Sequence, residues 1–332
     1  MHERAAPVVY SLVIPLYNEE AVLPLLLHRL DRLMEALDAP AEVVLVDDGS
    51  RDTTGIVAAG KAKDDPRYRY LALSRNFGHQ VAISAGMDYA TGDAVIVMDA
   101  DLQDPPEVVP ALAAKWREGY EIVYALRLSR EGETPLKRWT AGLFYKLIRA
   151  LTKVDIPADV GDFRLVDRKA IDAFKAMPER DRFVRGMFGW MGFSQTAVPF
   201  HRLSRGAGTT KYNLARMMKL ALDGIVGFSD VPLRLALWIG ALVSLGALGY
   251  GAYAIAMALA GVPLVSGWAS TIVLVSFLAG INLLMTGIVG VYVGRIHTEV
   301  KNRPLYVVGR AVGFPGASAG SLAKGNVRRF VA

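Results

Sequence analysis

Ala94-Val95-Ile96-Val97-Met98-Asp99-Ala100-Asp101-Leu102-Gln103-Asp104 is a short apolar run, rich in β-branched residues, that ends abruptly in carboxylates and an amide. Such a run reads as a strand, and its polar end as the mouth of a site. Three earlier runs have the same character: Val9 to Ile14, Glu42 to Val46 and Tyr70 to Leu73. Between them Ala21 to Leu37, Thr53 to Lys63 and Val81 to Tyr89 read as helices. Strand and helix in alternation predict a Rossmann-like α/β domain, a parallel sheet wrapped by helices. Ligands of such sheets bind beyond the carboxyl ends of the strands. Here those ends carry Pro15, Tyr17, Asn18 and Glu19; Asp47, Asp48, Gly49 and Ser50; Arg75, Asn76 and Gly78; and Asp99, Ala100, Asp101, Gln103 and Asp104.

Asp99 and Asp101 stand two apart on a strand end, where side chains point the same way unless a turn intervenes. With Gln103 they form a hard-oxygen set suited to Mg²⁺ or Mn²⁺, completed by water and phosphate oxygens. Glu19 and Asp48 suit ribose hydroxyls and base N–H groups, and Tyr17 offers a ring face. The competing readings are that Asn18, Glu19 and Glu20 open a helix, and that Asp48-Gly49-Ser50 is an ordinary turn. Arg127, Arg130, Arg138, Arg205 and Lys211 are candidate clamps for phosphates, against the alternative of solvated surface cations. Asp162, in Gly161-Asp162-Phe163-Arg164, is either a site carboxylate or a salt-bridge partner of Arg164 or Arg168.

Working outward, the 332-residue chain is 52% hydrophobic and only 21% charged, and its mean hydropathy is +0.28. The excess is concentrated: Leu235 to Gly294 contains no Asp, Glu, Lys, Arg or His. A membrane span needs about 20 apolar residues, so this stretch predicts a hairpin of two spans, 235–260 and 270–292 within 231–294, turning at Val262-Pro263. Cations flank the hairpin on both sides, from Arg202 to Arg234 and from Arg295 to Arg329, and its loop has none. The positive-inside rule then puts both ends in the cytoplasm, at an inner membrane whose anionic bilayer surface satisfies the net charge of +6. With no basic stripe interleaved with aromatics, nucleic acid is excluded as a partner. The absence of cysteine removes disulfides, thiol catalysis and thiolate metal sites, and the N-terminus lacks the pattern of a signal peptide. The remaining expectations are a catalytic domain over 1–212 with a mobile loop at 126–142 and an interfacial helix at 139–151, a juxtamembrane amphipathic helix at 213–230, and a cytoplasmic tail at 295–332. Helices and tail offer surfaces for a homo-oligomer.

Taken in order along the chain, these motifs resemble family 2 glycosyltransferases of the GT-A fold. They run from Val13-Ile14-Pro15-Leu16-Tyr17-Asn18-Glu19-Glu20 through Val46-Asp47-Asp48-Gly49-Ser50, Ser74 to Gln80 and Asp99 to Pro106. They continue with Gly161 to Leu165, Arg205 to Tyr212, and Tyr292-Val293-Gly294-Arg295 with Arg303-Pro304. The branch resembled is that of polyprenyl-phosphate glucosyltransferases and dolichyl-phosphate mannose synthases. The resemblance implies that Pro15, Tyr17, Glu19, Val46 and Asp48 hold the nucleoside, and that Asp99, Ala100, Asp101 and Gln103 hold metal and diphosphate. It further implies that Arg127, Arg205 and Lys211 hold phosphates, and that transfer from a nucleotide diphosphate sugar to a polyprenyl (undecaprenyl) phosphate proceeds with inversion. UDP-glucose is the favoured donor and GDP-mannose the alternative. Asp162 is then expected to orient the acceptor phosphate or take its proton. A processive polysaccharide synthase is disfavoured, because the extra spans and the Gln-x-x-Arg-Trp motif it needs are missing. A non-catalytic sugar-binding scaffold is disfavoured by the intact Asp99, Asp101 and Gln103.

Overall fold

The computed structural model of the protein describes residues 8–128, 160–201, 229, 231–260 and 267–314. The chain divides into two units, one containing the sheet and the other the two long apolar helices. In the first, strands β1 (Tyr10–Leu16), β2 (Ala41–Asp47), β3 (Tyr68–Leu73), β4 (Ala94–Val97), β5 (Ile122–Arg127), β6 (Val160–Asp167), β7 (Gln195–Phe200) and β8 (Val308–Val312) form one eight-stranded sheet. Its order is β7-β5-β6-β4-β1-β2-β3-β8. The helices are α1 (Leu23–Ala36), α2 (Thr54–Asp64), α3 (His79–Tyr89), α4 (Val109–Arg117), α5 (Arg168–Ala176) and α6 (Val184–Trp190). Every strand and helix read from the first hundred residues is present, with ends within two residues of those expected.

Strand β1 shows why these residues fold this way. Tyr10, Leu12, Ile14 and Leu16 join a core with Leu23, Leu26 and Leu30 of α1 and Leu112 of α4. Each such side chain contributes about 1.5–3 kcal/mol on full burial. Val13, on the opposite face, packs with Val46 of β2 under α3, and Gly86 lets that helix approach: a Cβ there would press on both valines.

The sheet is mixed rather than parallel throughout. β1, β2, β3 and β4 pair in parallel, but β6 runs antiparallel to β4 and β5, and β8 antiparallel to β3. Leu126 and Arg127, expected in a loop, close β5. The expected tail supplies β8: Val308–Val312 is strand because β3 presents an open edge, with Tyr70 opposite Val312. A segment with so little local preference takes its conformation from its partner. Tyr306 seats the approach to β8, its hydroxyl donating to Asp88 Oδ2 at 2.9 Å, and Val307 O accepts from Ser74 N at 2.8 Å.

The second unit contains α7 (Val231–Leu259) and α8 (Trp268–Val300), 29 and 33 residues long. Both are long and apolar enough to cross a membrane; α7 starts before the span expected at 235–260 and ends one residue short of it, and α8 extends past both ends of 270–292. Leu237, Trp238, Leu242, Leu248 and Leu283 are all more than 70% exposed, as side chains facing lipid would be. The expected interfacial helix at 139–151, the juxtamembrane helix at 213–230, the loop beyond Leu128 and the tail from 315 onward lie outside the described residues.

Candidate active site

The four polar strand ends meet at one edge of the sheet, around a cleft of about 290 Å³. Of the residues singled out by sequence, Pro15, Tyr17, Glu19, Asp48, Asp99, Ala100 and Asp101 line it. Val46 does not, being wholly buried beneath α3.

Backbone hydrogen bonds to side chains lace the loops after β1 and β2 together. Asn18, at φ 56°, accepts from Arg51 N through Oδ1 and donates its own N–H to Ser50 Oγ. Glu19 N donates to Thr54 Oγ1, and Glu20 accepts from both the N–H and the hydroxyl of Thr53. Glu19 through its backbone and Glu20 through its carboxylate therefore tie the loop after β1 to the start of α2; α1 begins only at Leu23. The turn reading of the second loop also holds, since Asp47 Oδ1 accepts from Ser50 N and Gly49 has φ +74°. Asp48, one residue earlier, does something else. Its two oxygens accept from Phe77 N at 2.7 Å and Gly78 N at 2.9 Å, so it ties the loop after β3 into the cleft wall. Burial raises its pKa, against the lowering influence of those two N–H groups.

Asp99 and Asp101 follow β4, and Leu102 at φ 59° turns the chain back so that Gln103 N donates to Asp101 Oδ1 at 3.1 Å. Gln103 itself is buried, and its Oε1 has no hydrogen-bond partner among the described residues. A buried acceptor without a donor costs stability unless a ligand or water meets it. Two residues beyond Asp101, whose carboxylate lines the cleft with that of Asp99, such an acceptor has the chemistry to join them around a divalent cation. Among the described residues no three Asp, Glu or His side chains gather to hold a metal alone. Mg²⁺ and Mn²⁺ tolerate such incomplete protein sets because water and substrate phosphate complete the shell.

Asp162 arrives through the antiparallel pairing of β6. Val97 lies opposite Arg164, and continuing that register two residues brings Asp162 across from Asp99. His79, the first residue of α3, sits between them, its Nε2 at 3.4 Å from Asp99 Oδ1 and 3.3 Å from Asp162 Oδ2. Gln80 Nε2 donates to Asp162 Oδ2 at 3.1 Å, and Arg185 of α6 donates from Nε and Nη2 to Oδ1 and Oδ2 at 2.9 and 3.2 Å. Neither salt bridge proposed from sequence forms: Arg164 donates to Gly161 O, and Arg168 to the carbonyls of Ala90 and Gly92.

The charges follow from these contacts. For Asp162, burial raises the pKa, but the His79 hydrogen bond and the Arg185 cation outweigh it and hold the carboxyl well below the usual range. For Asp99, burial dominates and the net shift is upward, with Asp162 and Asp101 adding repulsion. For His79, burial lowers the pKa, yet Asp162 and Asp99 together carry it above the ordinary value. Arg127 reaches over Gly161, where a Cβ would lie 2.6 Å from Nη2, and its guanidinium stands 3.6 Å from the fully buried Asp104. Arg130, Arg138, Arg205 and Lys211 lie outside the described residues.

Three residues of the site were assigned no role from the sequence, although His79 and Gln80 close the motif Ser74 to Gln80. His79 and Gln80 follow directly on the polar run Arg75-Asn76-Gly78 and were legible as its continuation. Arg185 carried no local signal, standing among Arg180 and Arg182 in a stretch whose partner is far away in sequence.

The profile of Glycosyl transferase family 2 matches residues 11–174. The chain is 47% identical to the uncharacterized glycosyltransferase YkcC of Bacillus subtilis over 92% of its length and 94% of that protein's. It is 41% identical to the SfII prophage-derived bactoprenol glucosyl transferase of Shigella flexneri, over 90% of this chain and 96% of the relative. Among solved structures, glucosyl-3-phosphoglycerate synthase from Mycobacterium tuberculosis, in complex with Mn²⁺, UDP and glucosyl-3-phosphoglycerate, aligns at a TM-score of 0.45 with 20% identity, covering 66% of this chain and 78% of that one.

Proposed function

Because the chain belongs to glycosyl transferase family 2, we propose that it moves glucose from UDP-glucose to undecaprenyl phosphate at the cytoplasmic face of a bacterial inner membrane, releasing UDP. The observation that carries the reading is the single cleft in which Asp48, Asp99, Asp101 and the network around Asp162 converge. The named activity of the bactoprenol glucosyl transferase relative, similar over nine-tenths of both chains, supports the sugar and the acceptor. The two apolar helices support a membrane-bound enzyme. Flanking cations support an arrangement with catalytic domain and C-terminus in the cytoplasm.

In this reading Tyr17, Glu19 and Asp48 hold the nucleoside against the laced loops, while Asp99, Asp101 and Gln103 hold Mg²⁺ or Mn²⁺. When bound, that ion neutralises charge developing on the departing diphosphate. Arg127 adds a cation at the same end, and Arg130, Arg138, Arg205 and Lys211 are assigned to the phosphates of donor and acceptor. The acceptor phosphate is a monoester whose second pKa is near 6, so much of it is already a dianion at neutral pH. Asp162 therefore need not take a proton, and its geometry suits it poorly for that: its side chain is 5% exposed and accepts from three partners. Its role is to orient.

The deciding experiment uses purified full-length protein, undecaprenyl phosphate and a panel of labelled UDP- and GDP-sugars, each with Mn²⁺ and with EDTA. Transfer of glucose from the uridine donor, abolished by EDTA, is the expected result. Transfer of mannose from GDP-mannose would reassign the donor, and no transfer from any sugar would point to a binding scaffold.

A further inference from the structure

Asp162 poses a problem that the reaction alone does not answer. It is a third carboxylate, reaching the same imidazole as Asp99, yet both its oxygens are taken up by side chains of α3 and α6. What holds it is a two-part device. Gln80 bridges: its Oε1 accepts from Val184 N at 3.1 Å, fixing the first residue of α6, while its Nε2 donates to Asp162. The next residue of that helix, Arg185, then closes both carboxylate oxygens in a two-pronged grip. A guanidinium fork imposes orientation as well as charge, which an ammonium does not.

We propose that Arg185, seated by Gln80, is a positioning residue for sugar transfer: it holds the Asp162 carboxylate out of the metal cluster and aimed at His79. The proposal rests on the transfer reaction proposed above. Released from Arg185, Asp162 needs only a rotation to compete with His79 for Asp99's side of the cleft, since His79 Nε2 lies within 3.4 Å of both carboxylates. The cluster then gains an oxygen ligand and loses a cation, and binds a bare divalent ion more tightly while catalysing less well. Loss of turnover with gain of metal affinity is a signature that mere unfolding cannot produce.

The test compares wild type, Arg185→Met, Arg185→Lys, Asp162→Asn and the Asp162→Asn/Arg185→Met double variant, all full length in detergent. Readouts are kcat and donor KM, Mn²⁺ affinity by electron paramagnetic resonance without nucleotide, and melting temperature. For Arg185→Met, kcat should fall about 10- to 100-fold, the usual effect of removing a group that orients a site residue. Donor KM should stay within about threefold and Mn²⁺ should bind several-fold tighter, on the order expected from removing one nearby cation. Arg185→Lys keeps the charge without the fork, so it should bring the Mn²⁺ affinity only part of the way back and leave kcat low. The double variant should be no worse than Asp162→Asn, because Arg185 acts through that carboxylate. Additive losses in the double variant, weaker Mn²⁺ binding, or full rescue by lysine would overturn the proposal. If Arg185→Met does not fold, the lysine variant decides between charge and fork. Should wild type transfer no sugar, the transfer reaction fails, and the Mn²⁺ affinities of the same five proteins still decide whether Arg185 restrains Asp162.

Discussion

Replacing Gly49 by alanine tests the geometry that joins the loops after β2 and β3. Gly49 has φ +74°, where an L-residue costs about 1–2 kcal/mol. Space is the second penalty. An added Cβ would lie 2.7 Å from both Arg75 C and Asn76 N, against 3.4–4 Å for ordinary contact, and both are backbone atoms that no rotamer change can clear. The loop must therefore shift by about 0.7 Å, and forcing a methyl into packed structure typically costs about 1–3 kcal/mol. Together these predict a loss of about 2–5 kcal/mol, which for a domain of this size lowers Tm by roughly 5–15 °C. The shifted segment also carries Phe77 N and Gly78 N, the two donors to Asp48, and Asn76 and His79 of the cleft. Losing one hydrogen bond to a charged group costs about 1.5–3 kcal/mol, so UDP affinity in the presence of Mn²⁺ should fall about tenfold or more. Differential scanning fluorimetry and calorimetric titration of the full-length protein read both effects. Gly49→Asn separates the causes, because asparagine tolerates positive φ but carries the same Cβ. It should regain no more than about 1 kcal/mol. If alanine leaves both Tm and UDP affinity unchanged, or if asparagine restores them fully, the close approach of the two loops does not organise the site.

Asp99→Asn should reduce Mn²⁺-supported transfer by at least about 100-fold with little loss of Tm, since it removes a metal ligand while relieving a buried charge whose pKa is raised; transfer at the wild-type rate would remove Asp99 from the reaction. Asp162→Asn should narrow its stability gap from wild type in acid: the folded pKa lies below the unfolded value near 4, so the stabilisation is complete above that value and is lost as pH falls through the folded pKa. Melts from pH 7 down to about 3 measure it, and a gap that widens in acid contradicts the assigned hydrogen bonds. Tyr306→Phe removes the buried hydroxyl on Asp88 and should cost about 1–3 kcal/mol, seen as a lowered Tm; an unchanged Tm would mean that Tyr306 does not hold the segment against the domain.

How much of this was legible in advance depended on whether each cause is local. The first four strands and three helices were readable because apolar runs and helical spacing are properties of the segment itself. So were the cleft carboxylates, since parallel strands deliver whatever follows them to one edge of the sheet. Strand β8 was not readable: Val-Gly-Arg-Ala-Val has no telling pattern, and only the exposed edge of β3 makes it a strand. The burial of the Val46 side chain was unreadable for the converse reason. A residue near a strand end can point to either face, and alternation puts this one under α3 while Asp48, two residues on and past the strand, escapes into the cleft. The partners of Asp162 were the hardest to foresee, because Arg164 and Arg168 are near in sequence and Arg185 is not. Arg164 shares a strand face with Asp162 but spends its guanidinium on Gly161 O, and Arg168, beyond the strand, spends its own on Ala90 and Gly92.

The reversal of β6 is what gives the cleft a second wall unlike the first. In a wholly parallel sheet the strand beside β4 would contribute another carboxyl end, pointing the same way as the rest. Running backwards, β6 instead enters at the cleft, so that its first residues, Gly161 and Asp162, lie beside Asp99 while its last, Asp167, pairs with Ala94 at the far edge. Gly161 leaves room for Arg127 to cross, and Asp162 is delivered to the wall that His79 links to the loops after β2 and β3. His79 spans the two halves, opening the helix whose loop is tied by Asp48 and contacting the carboxylate held by α6. The loops after β1, β2 and β3 and the Asp162 network are thus built from different stretches of chain that meet at one imidazole. Because Asp48 ties the start of that helix and Arg185 grips the carboxylate that His79 contacts, variants of Asp48 and of Arg185, remote from each other in sequence, should both disturb the position of His79.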